Sequence, residues 1–106
     1  MPPKDDETRR GRILVVDDQE HLCWVLAKLL SERGHEVRTA QTRASALKAV
    51  HAGFACQVAL VDYRLPTSNG LALIAELTSH LPRLRAILMT SYGSASLRQR
   101  ASDALP

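Results

Sequence analysis

Hydrophobic positions along the chain form two kinds of run that alternate. Short runs rich in β-branched residues predict buried strands at 12–17, 56–62 and 84–90, and an alternating apolar and polar run predicts a strand at 35–40. Longer stretches with apolar residues at helical spacing separate these strands and predict helices. The predicted helices cover 19–34, 42–53, 70–81 and 94–105.

Local signals support the ends of these helices. Thr42 is a candidate N-cap, and Gly34 and Gly53 stand where the first two helices are expected to end. The helical spacing also predicts a single buried face for the first helix. That face comprises Leu22, Val25, Leu26, Leu29 and Leu30.

The alternation of strands and helices predicts an α/β fold with a doubly wound parallel sheet. Helices of ten or more residues between strands act as right-handed crossovers, which place neighbouring strands parallel. The first, third and fourth strands are apolar along almost their whole length, as expected for strands that are covered on both faces.

Composition fits one domain with a mild positive charge. The chain has 106 residues and a net charge of +3, and its only tight basic cluster is Arg9, Arg10 and Arg12. No aromatic residue interleaves with these arginines, so a solvated tail is favoured over a nucleic-acid groove. We expect residues 1–11 to form a disordered polar lead and residues 12–106 to form the domain.

The cysteines and the hydropathy pattern predict a cytoplasmic location. Cys23 and Cys56 fit no metal-binding or redox spacing and lie in apolar surroundings, as buried reduced thiols do. No apolar run reaches the roughly 18 residues of a membrane span. The first residues also lack the hydrophobic segment of a signal peptide.

Polar residues follow three of the predicted strands at the point where each strand ends. Asp17 and Asp18 follow the first strand, Asp62 ends the third, and Thr90 and Ser91 follow the fourth. The carboxyl ends of parallel strands lie at one edge of the sheet, where open α/β folds bind ligands. Each residue alone has an ordinary explanation as a helix cap or loop residue, but together they predict a site.

The clustering of carboxylates at this edge predicts a cation. Two carboxylates about 5 Å apart repel by roughly 3 kcal/mol at an effective dielectric constant near 20. A helix N-terminus recovers only about 0.3–1 kcal/mol. Either one carboxylate keeps a proton or a cation binds among them, and hard oxygen ligands suit Mg²⁺. Such a site can also make one aspartate a nucleophile toward phosphorus.

Three segments resemble the receiver domain of two-component response regulators. They are ILVVDDQE, VDYRLPTSNG and ILMTSYGS, which occur in the order and at the separations of that family. The resemblance covers roughly residues 12–105. It implies a flavodoxin-like fold with strand order 2-1-3-4, and a signalling module that takes a phosphoryl group from a sensor histidine kinase.

The resemblance also assigns roles to the acidic residues. Asp62 would be the phospho-acceptor. Asp18 would bind Mg²⁺ directly and Asp17 through water, and the backbone carbonyl of Arg64 would complete the protein's share of the metal ligands. On this reading the domain catalyses at most its own phosphoryl transfer and dephosphorylation.

Further positions match the switch and the loop of the family. Thr90 would be the switch hydroxyl that hydrogen-bonds the phosphoryl group, and Ser91 matches the small residue that keeps the phosphoryl path open. Pro66 and Gly70 match the loop that shapes the site. The effector and the regulated process are not specified, and nucleic acid would be contacted only through an effector outside this chain.

The chain departs from the family after the fourth strand. The family carries a fifth strand with a lysine, whereas the lysines here are Lys4, Lys28 and Lys48. The domain is therefore expected to be truncated at its C-terminus, as a fragment of a longer regulator, as a natural short form that functions without the lysine, or as a chain whose sheet a partner completes. Truncation leaves 85–90 as an apolar edge strand that can pair with another chain. We expect self-association through this edge or through exchange of the helix 94–105.

Two other functions are compatible with these residues. A receiver-like interaction domain that is never phosphorylated would explain the missing lysine. An Mg²⁺-dependent phosphohydrolase would use Asp62 as its nucleophile, but the DYRLP segment has no carboxylate two residues later to act as general acid.

Trp24 lies away from the leucine face of its helix. We expect its side chain either to be half-exposed and packed against the helix or to contact the kinase.

Overall fold

The computed structural model describes residues 11–89. In chain order these residues form β1 (Arg12–Val16), α1 (Glu20–Glu32), β2 (Glu36–Ala40), α2 (Arg43–His51), β3 (Val58–Asp62), β4 (Arg64–Leu65), β5 (Ser68–Asn69), α3 (Gly70–His80) and β6 (Arg85–Met89). Every strand and helix predicted within this range is present, with ends that differ by at most two residues. The predicted helix 94–105 lies outside the described residues.

Four strands form one parallel sheet in the order β2-β1-β3-β6. β1 lies between β2 and β3, and Val16 pairs with both Ala40 and Val61. β6 pairs with the outer side of β3, with Asp62 opposite Met89. The predicted α/β class and the order of the first four strands are therefore confirmed, because β6 is the fourth strand of the sequence prediction.

The two faces of the sheet bury separate clusters, as alternating side chains require. Leu14 and Val16 lie in the larger cluster, with Ala46 of α2 and with Leu73 and Leu77 of α3. On the opposite face, Ile13 and Val15 pack with Cys23 of α1. Helices therefore cover both faces, so the sheet is doubly wound.

The predicted buried face of α1 is partly wrong. Leu29 is 50% exposed, whereas Cys23, which was not assigned to that face, is buried. The helix contacts the sheet around Cys23, Leu26 and Leu30. Residues in a helix are about 100° apart, so Leu29 points well away from the direction of Leu30. Trp24 is 58% exposed, and the Lys28 ammonium lies 5.1 Å from its ring centroid.

The helix ends follow the predicted signals. The Thr42 side chain accepts a hydrogen bond from the Ser45 N–H, and the Ser45 hydroxyl oxygen accepts one from the Thr42 N–H, which completes a capping box. Gly34 and Gly53 have φ angles of 92° and 105°, a region that favours glycine. α1 differs because Gln19, its N-cap, makes no side-chain capping hydrogen bond.

A small antiparallel hairpin follows β3 and was not predicted. β4 pairs with β5 through Arg64 opposite Asn69 and Leu65 opposite Ser68. The Asn69 side chain then accepts a hydrogen bond from the Ala72 N–H and so caps α3. The hairpin therefore connects the end of β3 directly to the start of α3. Among the described residues, no helix is long and apolar enough to cross a membrane.

Candidate functional site

The carboxyl ends of β1 and β3 bring three carboxylates together. Asp17 directly follows β1, Asp18 follows it, and Asp62 is the last residue of β3. One oxygen from each of these residues lies within 4.8 Å of the others. Asp17 and Asp62 are buried, whereas Asp18 is exposed. The cluster therefore extends below the surface and is open on one side. Its three members are among the residues that end the predicted strands, and the other two, Thr90 and Ser91, lie outside the described range.

Asp17 has only one of its two carboxylate oxygens satisfied. Its backbone N–H donates to the carbonyl of Ala40, and Oδ1 accepts a 2.9 Å hydrogen bond from the Gln19 N–H. Oδ2 is buried and has no hydrogen-bond partner among the described residues. An unsatisfied buried acceptor costs about 1–3 kcal/mol, and more when it is charged. A proton or a cation at Oδ2 would remove this cost.

The electrostatics of Asp17 also favour a proton or a cation at its carboxylate. Burial raises the pKa of Asp17, and the hydrogen bond from Gln19 opposes that effect. The negative charges of Asp62 and Asp18 raise the pKa further. The site therefore resists a third negative charge when it is metal-free. A divalent cation held by carboxylate oxygens would offset this repulsion, and Mg²⁺ prefers such ligands.

Backbone contacts on both sides hold Asp62 in place. Its Oδ1 accepts a 3.3 Å hydrogen bond from the Arg64 N–H. The next residue, Tyr63, donates from its N–H to the carbonyl of Met89 in β6 and accepts at its own carbonyl from the Gly70 N–H. The segment after Asp62 is thereby tied to β6 and to the start of α3. The Arg64 carbonyl as a metal ligand stays a prediction.

Gly70 packs directly against the backbone of Asp62. A β-carbon at this position would overlap the Asp62 carbonyl oxygen and would lie 2.9 Å from Cδ1 of Leu88. The carbonyl group belongs to the backbone and cannot rotate away, so only glycine fits. The placement of Gly70 beside the site agrees with its expected role in the loop. Pro66 lies in the two-residue turn between β4 and β5 and is exposed.

Cys23 is a residue of the site that sequence reasoning missed. The prediction of a buried thiol is confirmed, since Cys23 is 3% exposed. Its Sγ, however, donates to the backbone carbonyl of Asp17 at 3.2 Å. Burial raises the pKa of Cys23 and the charge of Asp17 adds to that effect, so the thiol stays protonated and remains a donor. The position of Cys23 in the first turn of α1 was the sequence feature that could have placed it beside the acidic cluster.

Two residues of the predicted site lie outside the described range. Thr90 and Ser91 follow Met89, the last residue of β6 and the last that the structure describes. β6 pairs in register with β3 up to Asp62 opposite Met89. Two roles stay predictions: that of Thr90 as the switch hydroxyl, and that of Ser91 as the small residue that leaves room for the phosphoryl group to enter.

Comparison with known protein families identifies the class of this domain. A family model for the response regulator receiver domain matches residues 13–104. The chain therefore belongs to the family of response regulator receiver domains, as the three sequence motifs indicated. Receiver domains are signalling modules of two-component systems.

Individual relatives agree with this assignment. The DNA-binding transcriptional regulator NtrC of Escherichia coli K12 is 34% identical over 103 residues, which cover 92% of this chain and 22% of NtrC. Among solved structures, NtrX from Brucella abortus in complex with ADP has a TM-score of 0.75 at 32% identity, covering 89% of this chain and 22% of that one. The chain thus spans about a fifth of the length of these relatives.

A further solved structure is informative because of what it contains. It is a response regulator from Burkholderia pseudomallei with a phosphorylated aspartic acid, a calcium ion and citrate. It is 34% identical, with a TM-score of 0.71, and the match covers 87% of this chain and 54% of that protein.

Proposed function

We propose that this domain accepts a phosphoryl group on Asp62 from a sensor histidine kinase, with Mg²⁺ bound by the acidic cluster. The observation that carries the proposal is the arrangement of Asp17, Asp18 and Asp62 within 4.8 Å, with a buried carboxylate oxygen of Asp17 that has no hydrogen-bond partner among residues 11–89. Phosphorylated aspartate and a divalent cation occur together in the Burkholderia relative, which supports the same chemistry here.

Three residues of the chain would contribute to metal binding in different ways. Asp18 is exposed and would bind Mg²⁺ directly, whereas the buried Asp17 would act through a bound water, and the Arg64 carbonyl would supply a further oxygen. When bound, the ion supplies charge neutralisation for the oxygens of the transferring phosphoryl group. The Gln19 N–H fixes the orientation of Asp17 independently of the metal.

Phosphoryl transfer would use one carboxylate oxygen of Asp62 as the nucleophile. The carboxylate attacks phosphorus while the bond from phosphorus to the kinase's histidine nitrogen breaks, and the electron pair of that bond leaves with the imidazole. The hydrogen bond from the Arg64 N–H orients the Asp62 carboxylate before attack. Positioning of this kind supplies most of the catalysis in phosphoryl transfer.

The signal that the domain passes on would depend on the end of β6, which lies beside the site. A phosphoryl group adds about −1.5 to −2 charges and three acceptor oxygens beside the end of β6. Thr90 would donate its hydroxyl to one of these oxygens and so bias the segment that follows β6. An effector outside this chain would respond to that change, and any contact with nucleic acid would belong to the effector.

A second copy of this chain is one of the proposed partners. Within residues 11–89, β6 pairs with β3 on one side and with no strand on the other. Ile87 in the middle of β6 is 54% exposed. A second copy of the chain could pair along this edge, and phosphorylation next to β6 would alter the association.

The test is incubation of the full chain with Mg²⁺ and acetyl phosphate, followed by mass spectrometry. We expect one added phosphoryl group, located on Asp62, with none on the Asp62→Asn variant. Chelation of Mg²⁺ should abolish the reaction in the parent chain. An unmodified protein under all conditions would instead favour a receiver-like interaction domain, and sustained release of inorganic phosphate would favour a phosphohydrolase.

A further inference from the structure

A pair of histidines lies at the ends of two neighbouring helices. His51 is the last residue of α2, and His80 is the last residue of α3. Their ring centroids are 4.8 Å apart and the ring planes are nearly perpendicular, at 81°. Helices that follow parallel strands begin at the carboxyl edge of the sheet and end at the opposite edge. The pair is therefore at the other end of the domain from the acidic cluster.

The separation of the two rings suits joint coordination of a metal ion. Zinc binds imidazole nitrogen at about 2.0–2.1 Å, which places the centre of each ring about 3.2 Å from the ion. For two imidazoles at a tetrahedral angle, the ring centres are then about 5 Å apart. The observed 4.8 Å is close to this spacing. The nearly perpendicular rings would have to turn about their side-chain torsions to direct one nitrogen of each toward a common point.

The surroundings of the pair favour a cation. Both histidines lie in the last turn of a helix, where the partial negative charge of the helix dipole stabilises positive charge. The two helices also contact each other through the Arg43 guanidinium of α2, which forms a two-bonded ion pair with the Glu76 carboxylate of α3. A bound ion would therefore not have to hold the helices together by itself.

We propose that His51 and His80 form a binding site for one transition-metal ion such as Zn²⁺, Ni²⁺ or Cu²⁺, with solvent completing the coordination sphere. Imidazole ligands suit these metals, whereas carboxylate oxygens suit Mg²⁺, so the site differs in selectivity from the acidic cluster. Among the described residues, only the acidic cluster brings three metal-binding side chains together, which leaves the histidine site with two protein ligands. An ion there would lock the ends of α2 and α3 to each other.

The experiment is a Zn²⁺ titration of the full chain by calorimetry, with Mg²⁺ present in excess to occupy the acidic cluster. We expect one Zn²⁺ per chain, with at least a tenfold loss of affinity in both His51→Gln and His80→Gln, because loss of even an outer-shell partner costs 10–100-fold. His21→Gln is the matched control, since His21 is an exposed helical histidine far along the chain from the pair. It should bind Zn²⁺ as the parent chain does.

A second readout keeps the test decisive if either variant folds poorly. In the parent chain, the ring-proton resonances of His51 and His80 should broaden first when paramagnetic Cu²⁺ is added. The proposal is overturned if His21 or His35 responds first, or if correctly folded His51→Gln and His80→Gln chains retain parental Zn²⁺ affinity. Asp62→Asn should keep Zn²⁺ binding while losing phosphorylation, so this inference and the proposed function can fail separately.

Discussion

Gly70 packs so closely against the carbonyl oxygen of Asp62 that a β-carbon on residue 70 would overlap that oxygen. The first residue of α3 and the proposed phospho-acceptor are therefore in direct backbone contact. Gly70 also donates its N–H to the carbonyl of Tyr63. The geometry of the acidic cluster thus depends on the absence of a side chain eight positions further along the chain.

Gly70→Ala should therefore destabilise the domain and weaken the proposed binding of Mg²⁺ by the acidic cluster. Overpacking a site that cannot relax costs about 1–3 kcal/mol, and we expect the upper end of that range because the obstructing atom is backbone. Thermal melts and Mg²⁺ titrations would measure the two effects. Gly53→Ala is the control, since a β-carbon at position 53 meets no atom within 4 Å although its φ of 105° strains alanine. It should lower stability without changing Mg²⁺ affinity.

Removing one charge from the acidic cluster should stabilise the metal-free domain. Carboxylates within 4.8 Å repel by about 3 kcal/mol at an effective dielectric constant of 20, and exposure of one partner reduces this value. In the presence of a chelator, Asp18→Asn and Asp62→Asn should accordingly raise the free energy of unfolding by about 1–3 kcal/mol. The melting temperature should rise with it. Saturating Mg²⁺ should stabilise the parent chain more than either variant.

The control for this prediction is Glu20→Gln. Glu20 is an exposed acid in the first turn of α1 that does not belong to the cluster, so its loss should not stabilise the fold. A clear drop in melting temperature for both aspartate variants would show instead that these carboxylates act as structural caps.

The stability of the metal-free chain should contain a pH-dependent contribution from Asp17. Burial raises the pKa of Asp17 above its ordinary value of 3.8, so the folded state binds this proton more tightly than the unfolded state does. The resulting stabilisation is complete below pH 3.8 and is lost as pH rises through the raised pKa of the folded state. Asp17→Asn should remove this contribution.

Chemical denaturation with a chelator, at a series of pH values, would measure it as the difference between parent and variant. Taking the difference cancels the carboxylates that do not interact with Asp17, such as Glu76, whose pKa the Arg43 hydrogen bond lowers. The stability of the parent relative to Asp17→Asn should decline with rising pH. A flat difference would mean that Asp17 has the same proton affinity in both states.

Exposure of β6 predicts self-association that a charge on that strand would suppress. Ile87→Glu should lower the average mass in a light-scattering concentration series, because charged residues on an edge strand oppose pairing. Leu29→Glu is a matched control, since Leu29 is 50% exposed but lies on α1. A parent chain that remains monomeric at high micromolar concentration would contradict the prediction, as would equal effects of the two variants.

The larger elements could be predicted because their signals are local. Repeated apolar spacing located three helices and four strands within residues 11–89, and the strand-end rule brought Asp17, Asp18 and Asp62 to one edge. The β4–β5 hairpin could not be found this way, since strands of two residues are too short to show a period. Leu29 was misplaced because five apolar residues span a wider arc of α1 than the sheet covers.

Features that depend on how the elements pack against each other could not be predicted from the spacing of residues. The unsatisfied oxygen of Asp17 results from how deeply the end of β1 is buried, and the Cys23 hydrogen bond results from how α1 lies on the sheet. The pairing of His51 with His80 depends on two helices ending side by side, which no spacing in the sequence records.

The hairpin between Asp62 and Gly70 restricts which changes of length the chain can accept over evolution. Tyr63 is bonded to β6 and to Gly70, the strands β4 and β5 pair with each other, and Gly70 rests on Asp62, so the segment is closed by contacts at both ends. An inserted or deleted residue here would shift either the acidic cluster or all of α3. Insertions and deletions among natural relatives should therefore accumulate in the turns at the opposite edge of the sheet, around 33–35, 52–57 and 81–84, where added residues can loop into solvent.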